Sequence, residues 1–289
     1  AAELLLRLLP VSSATMTGYT ADPMILGYPP GHRWQVATGW DLRNARTMRA
    51  NNLGFADRID FVRDERAVAL VGDSFVEASM LDEPERPAPR LQAALGGRTV
   101  YALGGPGSSL LDYAERIRFA AERLGSRDIV VLMEAGDLRQ ALCGSGNVHA
   151  ACLDRQDFSP RTERQPEPSV AKRVLRHSAL AQYLLGQLKV DGRRLLEAIV
   201  EAEAPDMHGH AAQAGAAGPR RAPPETAAER AAREALVDAV AGRFFERALP
   251  RVQGRLVLVV LGRRDASLLE AGGARSPIER ERDLFIERA

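Results

Sequence analysis

Apolar residues gather into short continuous runs at AVALVG (67–72), TVYALG (99–104), DIVVLM (128–133) and RLVLVVLG (255–262). Runs of this length, rich in Val and closed by turn residues, predict strands buried on both faces, the pattern of a parallel sheet. Between them the period changes. Leu110, Leu111, Ala114, Ile117, Phe119 and Leu124 fall near one face of a helix predicted over 108–125. A first crossover helix is expected within 76–98. Thr226 and Glu229 form a capping box, and apolar positions at Leu236, Val240 and Phe244 carry the helix on towards Pro250. That helix would feed the fourth strand by a right-handed crossover. Strands alternating with helices in this way predict an α/β fold built on a parallel sheet.

The segments outside this alternation read differently. Residues 1–10, AAELLLRLLP, crowd leucine ahead of Pro10. The run is too short to span a bilayer, which takes about 20 apolar residues. It reads either as the stub of a membrane anchor or as a leading helix. Residues 11–66 are rich in Gly, Pro and aromatics and predict an irregular N-terminal cover of short β pieces. Within it Tyr19, Tyr28, Trp34 and Trp40 are candidates for a sugar-binding surface or, as sparse aromatics usually are, for core. The main domain is expected over 67–289, with a helical insertion at 139–224. The insertion's middle, 170–202, reads as helix. Its end, 203–224, is an Ala/Gly/Pro/Arg-rich loop in which His208 and His210 are read as exposed polar residues rather than metal ligands.

Composition narrows the function. The chain has 289 residues, 45% of them apolar, enough for a sizeable core. Lys and Arg number 39 against 38 Asp and Glu, which argues against nucleic acid held through bulk charge. No cofactor or metal site is expected. Gly104-Gly105-Pro106-Gly107 lacks the G-x-G-x-x-G spacing of a dinucleotide-binding turn.

The chemistry is concentrated where the first run ends, at Gly72-Asp73-Ser74-Phe75. Ser74 would sit on a strand-to-helix turn with its hydroxyl exposed and its N–H free, as a serine nucleophile needs. The plainer reading makes Gly-Asp-Ser an ordinary turn with Asp73 as a helix cap. The second run ends in Gly-Pro-Gly-Ser (105–108) and the third in Glu134-Ala135-Gly136-Asp137. Three strand–turn units in one register would bring the three turns to one edge of the sheet.

This order resembles the SGNH (GDSL) hydrolase superfamily, in its membrane-anchored extracytoplasmic form. The resemblance covers residues 67 to about 138 and, less closely, 254–262; the Asn51–Phe55 run (NNLGF) also occurs in anchored relatives. It implies a three-layer α/β/α (flavodoxin-like) sandwich with strand order 2-1-3-4-5, here without its last strand and helix. It implies Ser74 as nucleophile, Asp73 as a structural neighbour and Gly107 as an oxyanion N–H. The third motif of the family is Gly-x-Asn-Asp, and Gly136 stands where the Asn amide should be. The backbone N–H of Gly136 or the guanidinium of Arg139 would have to stand in for it. The family's base lies in Asp-x-x-His, which does not occur in these residues. The expected chemistry is that of a serine esterase on acyl esters, with acylated cell-surface glycans as substrates. An O-acyltransferase of the same fold and a non-catalytic glycan- or partner-binding relative are the alternatives. The expected place is periplasmic or extracytoplasmic, with a membrane anchor upstream.

Cys143 and Cys152 lie in one short loop, CGSGNVHAAC, and are expected to pair in an oxidising compartment. Two free buried thiols, or a zinc site completed by His149, are the other readings.

Overall fold

A computed structural model describes residues 2–13, 16–146, 150–188, 225–262 and 276–289. In chain order its elements are helix α1 (Ala2–Arg7), strands β1 (Gly18–Asp22), β2 (Ile25–Gly27), β3 (Arg33–Thr38), β4 (Arg43–Arg49) and β5 (Val68–Gly72), and helices α2 (Ser74–Glu77) and α3 (Pro87–Ala94). Next come β6 (Val100–Leu103), α4 (Leu110–Phe119), β7 (Asp128–Met133), α5 (Asp137–Gln140), β8 (Ala151–Leu153), β9 (Pro160–Thr162), α6 (Val170–Leu175) and α7 (Ala179–Ala181). The long helix α8 (Ala227–Ala248), strand β10 (Leu256–Val260) and helix α9 (Pro277–Arg288) complete the described residues.

The four predicted strands form one parallel sheet in the order β6-β5-β7-β10. Every residue of the central strand β5 is buried, which is why its sequence is unbroken by polar residues. Its side chains alternate between two cores. Ala69 and Val71 face α4 and α8 together with Tyr101, Leu103, Ile129 and Val131. Val68 and Leu70 face α2 and α3 together with Val76, Ala88, Val100 and Ala102. Helices therefore cover both faces, and the fold is a three-layer α/β/α sandwich. Among the described residues no strand stands beyond β10, whose Val257 and Val259 are exposed.

Helix α4 departs from the amphipathic reading. Asp112, Glu115 and Arg116 on its polar side are as buried as its apolar residues. The helix is enclosed because α8 packs along it. Glu115 compensates through ion pairs to Arg118 and Arg247, since a buried unpaired charge costs several kcal/mol. At the C-terminal end Ser276 and Glu279 form a capping box for α9, and Phe285 is buried against Phe245 of α8.

The N-terminal cover is built from two small antiparallel pairs, β1–β2 and β3–β4. Its link to the sheet is the Asn51–Phe55 turn. The Asn51 carboxamide accepts from the N–H groups of Leu53 and Phe55 at 3.0 and 3.1 Å and donates to the carbonyl of Ile59. Gly54 sits at φ +80°, with the Tyr28 carbonyl where a Cβ would have to go. A structural lock therefore accounts for this run without any ligand. Of the four aromatics, Tyr28 and Trp34 are core, stacked at 4.1 Å, whereas Trp40 is exposed and Tyr19 half-buried. The insertion is not wholly helical: β8 and β9 pair antiparallel in its first part, and α6, α7 and a π-helical stretch (Gln182–Gln187) follow as far as residue 188; the part of the predicted 170–202 helix beyond that, and the loop with His208 and His210, lie outside the described residues.

Candidate active site

The chain turns sharply after β5. A Cβ at Gly72 would stand 2.6 Å from Val76 Cγ2 and 2.7 Å from the Leu132 carbonyl, so only glycine fits there. The Asp73 carboxylate accepts from the Phe75 N–H at 2.8 Å and caps α2. Ser74 is the first residue of α2 and is exposed, and among the described residues nothing bonds its Oγ. The helix lasts one turn before Ala78 breaks it in the left-handed region.

The second turn closes on the first. A Cβ at Gly104 would lie 2.7 Å from the Glu77 nitrogen. At Gly105 a Cβ would lie 2.6 Å from an Arg116 Nη2 that crosses beneath the loop. Gly107 takes φ +70°. Ser108 Oγ donates to the Gly105 carbonyl, and Asp112 accepts from the Ser109 N–H at 2.8 Å at the start of α4. Arg116 is fully buried, and its Nε and Nη1 find no acceptor among the described residues. Burial lowers its pKa, and the charges of Asp112, Asp73 and Glu77 oppose that shift.

The third turn supplies acids. Carboxylate oxygens of Asp73, Glu134 and Asp137 lie within 4.8 Å of one another. Asp137 is fully buried, and its Oδ2 accepts from the Tyr113 hydroxyl at 2.9 Å and from the Glu134 N–H at 2.9 Å. Burial, reinforced by the negative charges of Asp73 and Glu134, pushes Asp137 up to about 8. Burial also raises Asp73, with Glu134 adding to it. At neutral pH Asp137 therefore carries a proton, and the cluster holds less charge than three carboxylates would. These three acids are the described residues at this edge that could hold a cation; the site as built is already hydrogen-bonded through Tyr113.

Gly136 sits in α-helical backbone, at φ −71° and ψ −23°. The space a side chain would take is bordered by Gln140 Nε2, 3.1 Å from an added Cβ, and by Glu134 Oε1 at 3.2 Å. Arg139 does not stand in for the missing amide. Its Nε bonds both oxygens of the buried Glu281 at 2.8 Å, which ties it to α9. Gln140 was not among the residues picked out from the sequence. It lies one helical turn beyond Gly136, and that spacing is the signal that could have found it.

Among the described residues the N–H groups of Ser74, Gly107 and Gly136, one in each of the three turns, donate to no backbone carbonyl. The two described histidines lie elsewhere: His32 stacks near Trp34 in the cover and His177 is exposed just after α6; His149, His208 and His210 lie outside the described residues. Cys143 and Cys152 form a disulfide with Cα atoms 5.1 Å apart, so neither keeps a thiol for zinc. The bridge closes the loop between α5 and β8 and suggests an oxidising, extracytoplasmic environment. No helix among the described residues is long and apolar enough to cross a membrane.

No protein-family model and no curated protein matches the chain. Among solved structures, an esterase, AlinE4 in a serine-to-alanine mutant, is similar over 78% of this chain and 97% of its own, at 14% identity and a TM-score of 0.27. A superposition that loose leaves the site to be read from its own residues.

Proposed function

We propose that this protein is a serine ester hydrolase of SGNH type, with Ser74 as the nucleophile. One observation carries the reading: an exposed serine stands at a helix start on the carboxyl edge of a parallel sheet, beside backbone N–H groups that donate to no backbone carbonyl among the described residues. Ligands of open α/β sheets bind at that edge. Attack of Ser74 Oγ on an ester carbonyl places negative charge on the carbonyl oxygen. The N–H groups of Ser74 and Gly107 are the donors for that oxyanion, with the partial positive end of α2 behind them. The Gln140 carboxamide, over Gly136, is the side-chain donor in the place of the family's Asn. Asp73 and Asp137 shape the turns and take no part in bond making. The proton of Ser74 requires a base that none of the described histidines supplies.

Acylated glycans are the proposed substrates. A cleft of about 310 Å³ opens beside the turn of Gly107, at Pro106, and runs past Glu77 and Ser79 to Tyr28, Gln35 and Gln182. Its lining mixes the hydroxyls of Ser12, Ser13 and Ser79 and the carboxamides of Gln35 and Gln182 with Trp34, Val36 and the carboxyl of Glu77; the glycan reading rests on the oxidising, extracytoplasmic setting that the disulfide suggests. The deciding experiment is labelling with a fluorophosphonate probe followed by peptide mass analysis, together with hydrolysis of short-chain aryl esters. The adduct is expected on Ser74, and Ser74→Ala should lose both labelling and turnover. Turnover retained in that variant overturns the assignment.

A further inference from the structure

Two helices far along the chain from one another each leave apolar side chains uncovered, and one is tied to the segment that directly follows the other. In α1 no residue is buried; Leu4 and Leu5 are 71 and 61% exposed, and Leu8, just past its end, is 84% exposed. In α6, likewise without a buried residue, Val170 and Val174 are 67 and 66% exposed and Leu175 is 44%. The two are fastened together at the end of α6. Glu3 accepts from the N–H groups of Ala179 and Leu180 and from the Ser178 hydroxyl, and Arg7 pairs with Glu3 and donates to the His177 carbonyl. Glu3 is thus spent internally, and its carboxyl is held down to about 2, chiefly by the Leu180 N–H.

The sequence of α6 is segregated by charge. At 100° per residue, Val170, Ala171, Val174 and Leu175 fall within about 140° of the helix circumference, and Lys172, Arg173 and Arg176 fill the opposite side. None of these three cations has an ion pair among the described residues. An exposed apolar stripe beside unneutralised cations is the pattern of helices that lie in a bilayer interface.

We propose that the α1–α6 face docks peripherally on an anionic lipid surface. The leucines and valines enter the interfacial layer, and Lys172, Arg173 and Arg176 bind headgroup phosphates. Charge complementarity selects this occupant: a second copy of the same face would bring the same cations against one another. The proposal does not depend on the role of Ser74.

Sedimentation with lipid vesicles tests it. The protein is expected to bind vesicles of phosphatidylcholine mixed with phosphatidylglycerol, and far less those of phosphatidylcholine alone. Raised salt should weaken the binding. Lys172→Glu with Arg173→Glu and Arg176→Glu should lower partitioning at least ~10-fold, from the attraction each basic residue contributes near an anionic surface. Leu4→Ser with Leu8→Ser should lower it as well. All these side chains except Arg176, which is half-buried, are exposed, so an unchanged circular dichroism spectrum and unchanged hydrolysis of a soluble ester would show that the fold and the Ser74 site are intact. Absence of binding to the mixed vesicles, or equal binding by the charge-reversed variant, overturns the proposal. So does a dimer in light scattering that the serine substitutions dissolve while no vesicle binding is seen, because the face would then be an interface between copies.

Discussion

The Tyr113 hydroxyl donates to Asp137 Oδ2 at 2.9 Å, tying the helix after the second strand of the sheet to the turn after the third. Both partners are buried, and the tie holds two turns of the candidate site in register. It also stores a proton. Asp137 is raised by burial to about 8, Glu77 to about 7 and Asp57 to about 6. Each of these carboxyls would ionise near 4 in the unfolded chain, so between these values the folded state binds more protons. Stability should therefore be highest at low pH within this window and fall as pH rises through 6 to 8. Thermal midpoints measured from pH 5 to pH 8.5 should show that fall, and Asp137→Asn should flatten its upper part. A midpoint that rises across the same range would count against the raised Asp137.

Gln140→Leu removes the carboxamide over Gly136 at nearly constant volume. If that group donates to the oxyanion, kcat for aryl esters should drop by about 100- to 1,000-fold with little change in KM. Arg139→Ala should change kcat little, because that side chain is committed to Glu281. Steady-state kinetics on the two variants separate a donor at 140 from one at 139.

Reducing the Cys143–Cys152 bridge frees a loop of ten residues, for which chain-entropy estimates give about 2–3 kcal/mol. Denaturant unfolding with and without reductant should show a loss of that size. Intact mass should gain two alkyl groups only after reduction.

Gly54→Ala should destabilise by at least ~2 kcal/mol, since an L side chain is strained at φ +80° and the new methyl would meet the Tyr28 carbonyl. The same substitution at Gly96, also at positive φ but with open space around it, should cost less. Paired unfolding curves would show whether close approach adds to backbone strain at Gly54.

Local regularities were readable along the chain. The runs at 67–72, 99–104 and 128–133 read as strands because each is short, rich in apolar residues and closed by turn residues. Thr226 and Glu229 announced their helix because a capping box acts within four residues. The Gly72-Asp73-Ser74 turn followed from glycine's steric freedom and from Asp73 reaching a backbone N–H two residues on. Contacts between distant segments decided the rest. Pattern alone pointed the charges of Asp112, Glu115 and Arg116 outward; α8, more than a hundred residues later in the chain, meets Glu115 through Arg247, while Arg116 runs beneath the Gly105 loop and Asp112 caps α4 at Ser109. Arg139 looked available until Glu281 on α9 took it. Gln140 acquired its place over Gly136 only when α5 formed. Hydrophobic period and turn chemistry act over a few residues and are written locally. The partner of a charged or amide side chain is chosen by which elements the fold brings within 3 Å, and no local pattern carries that information.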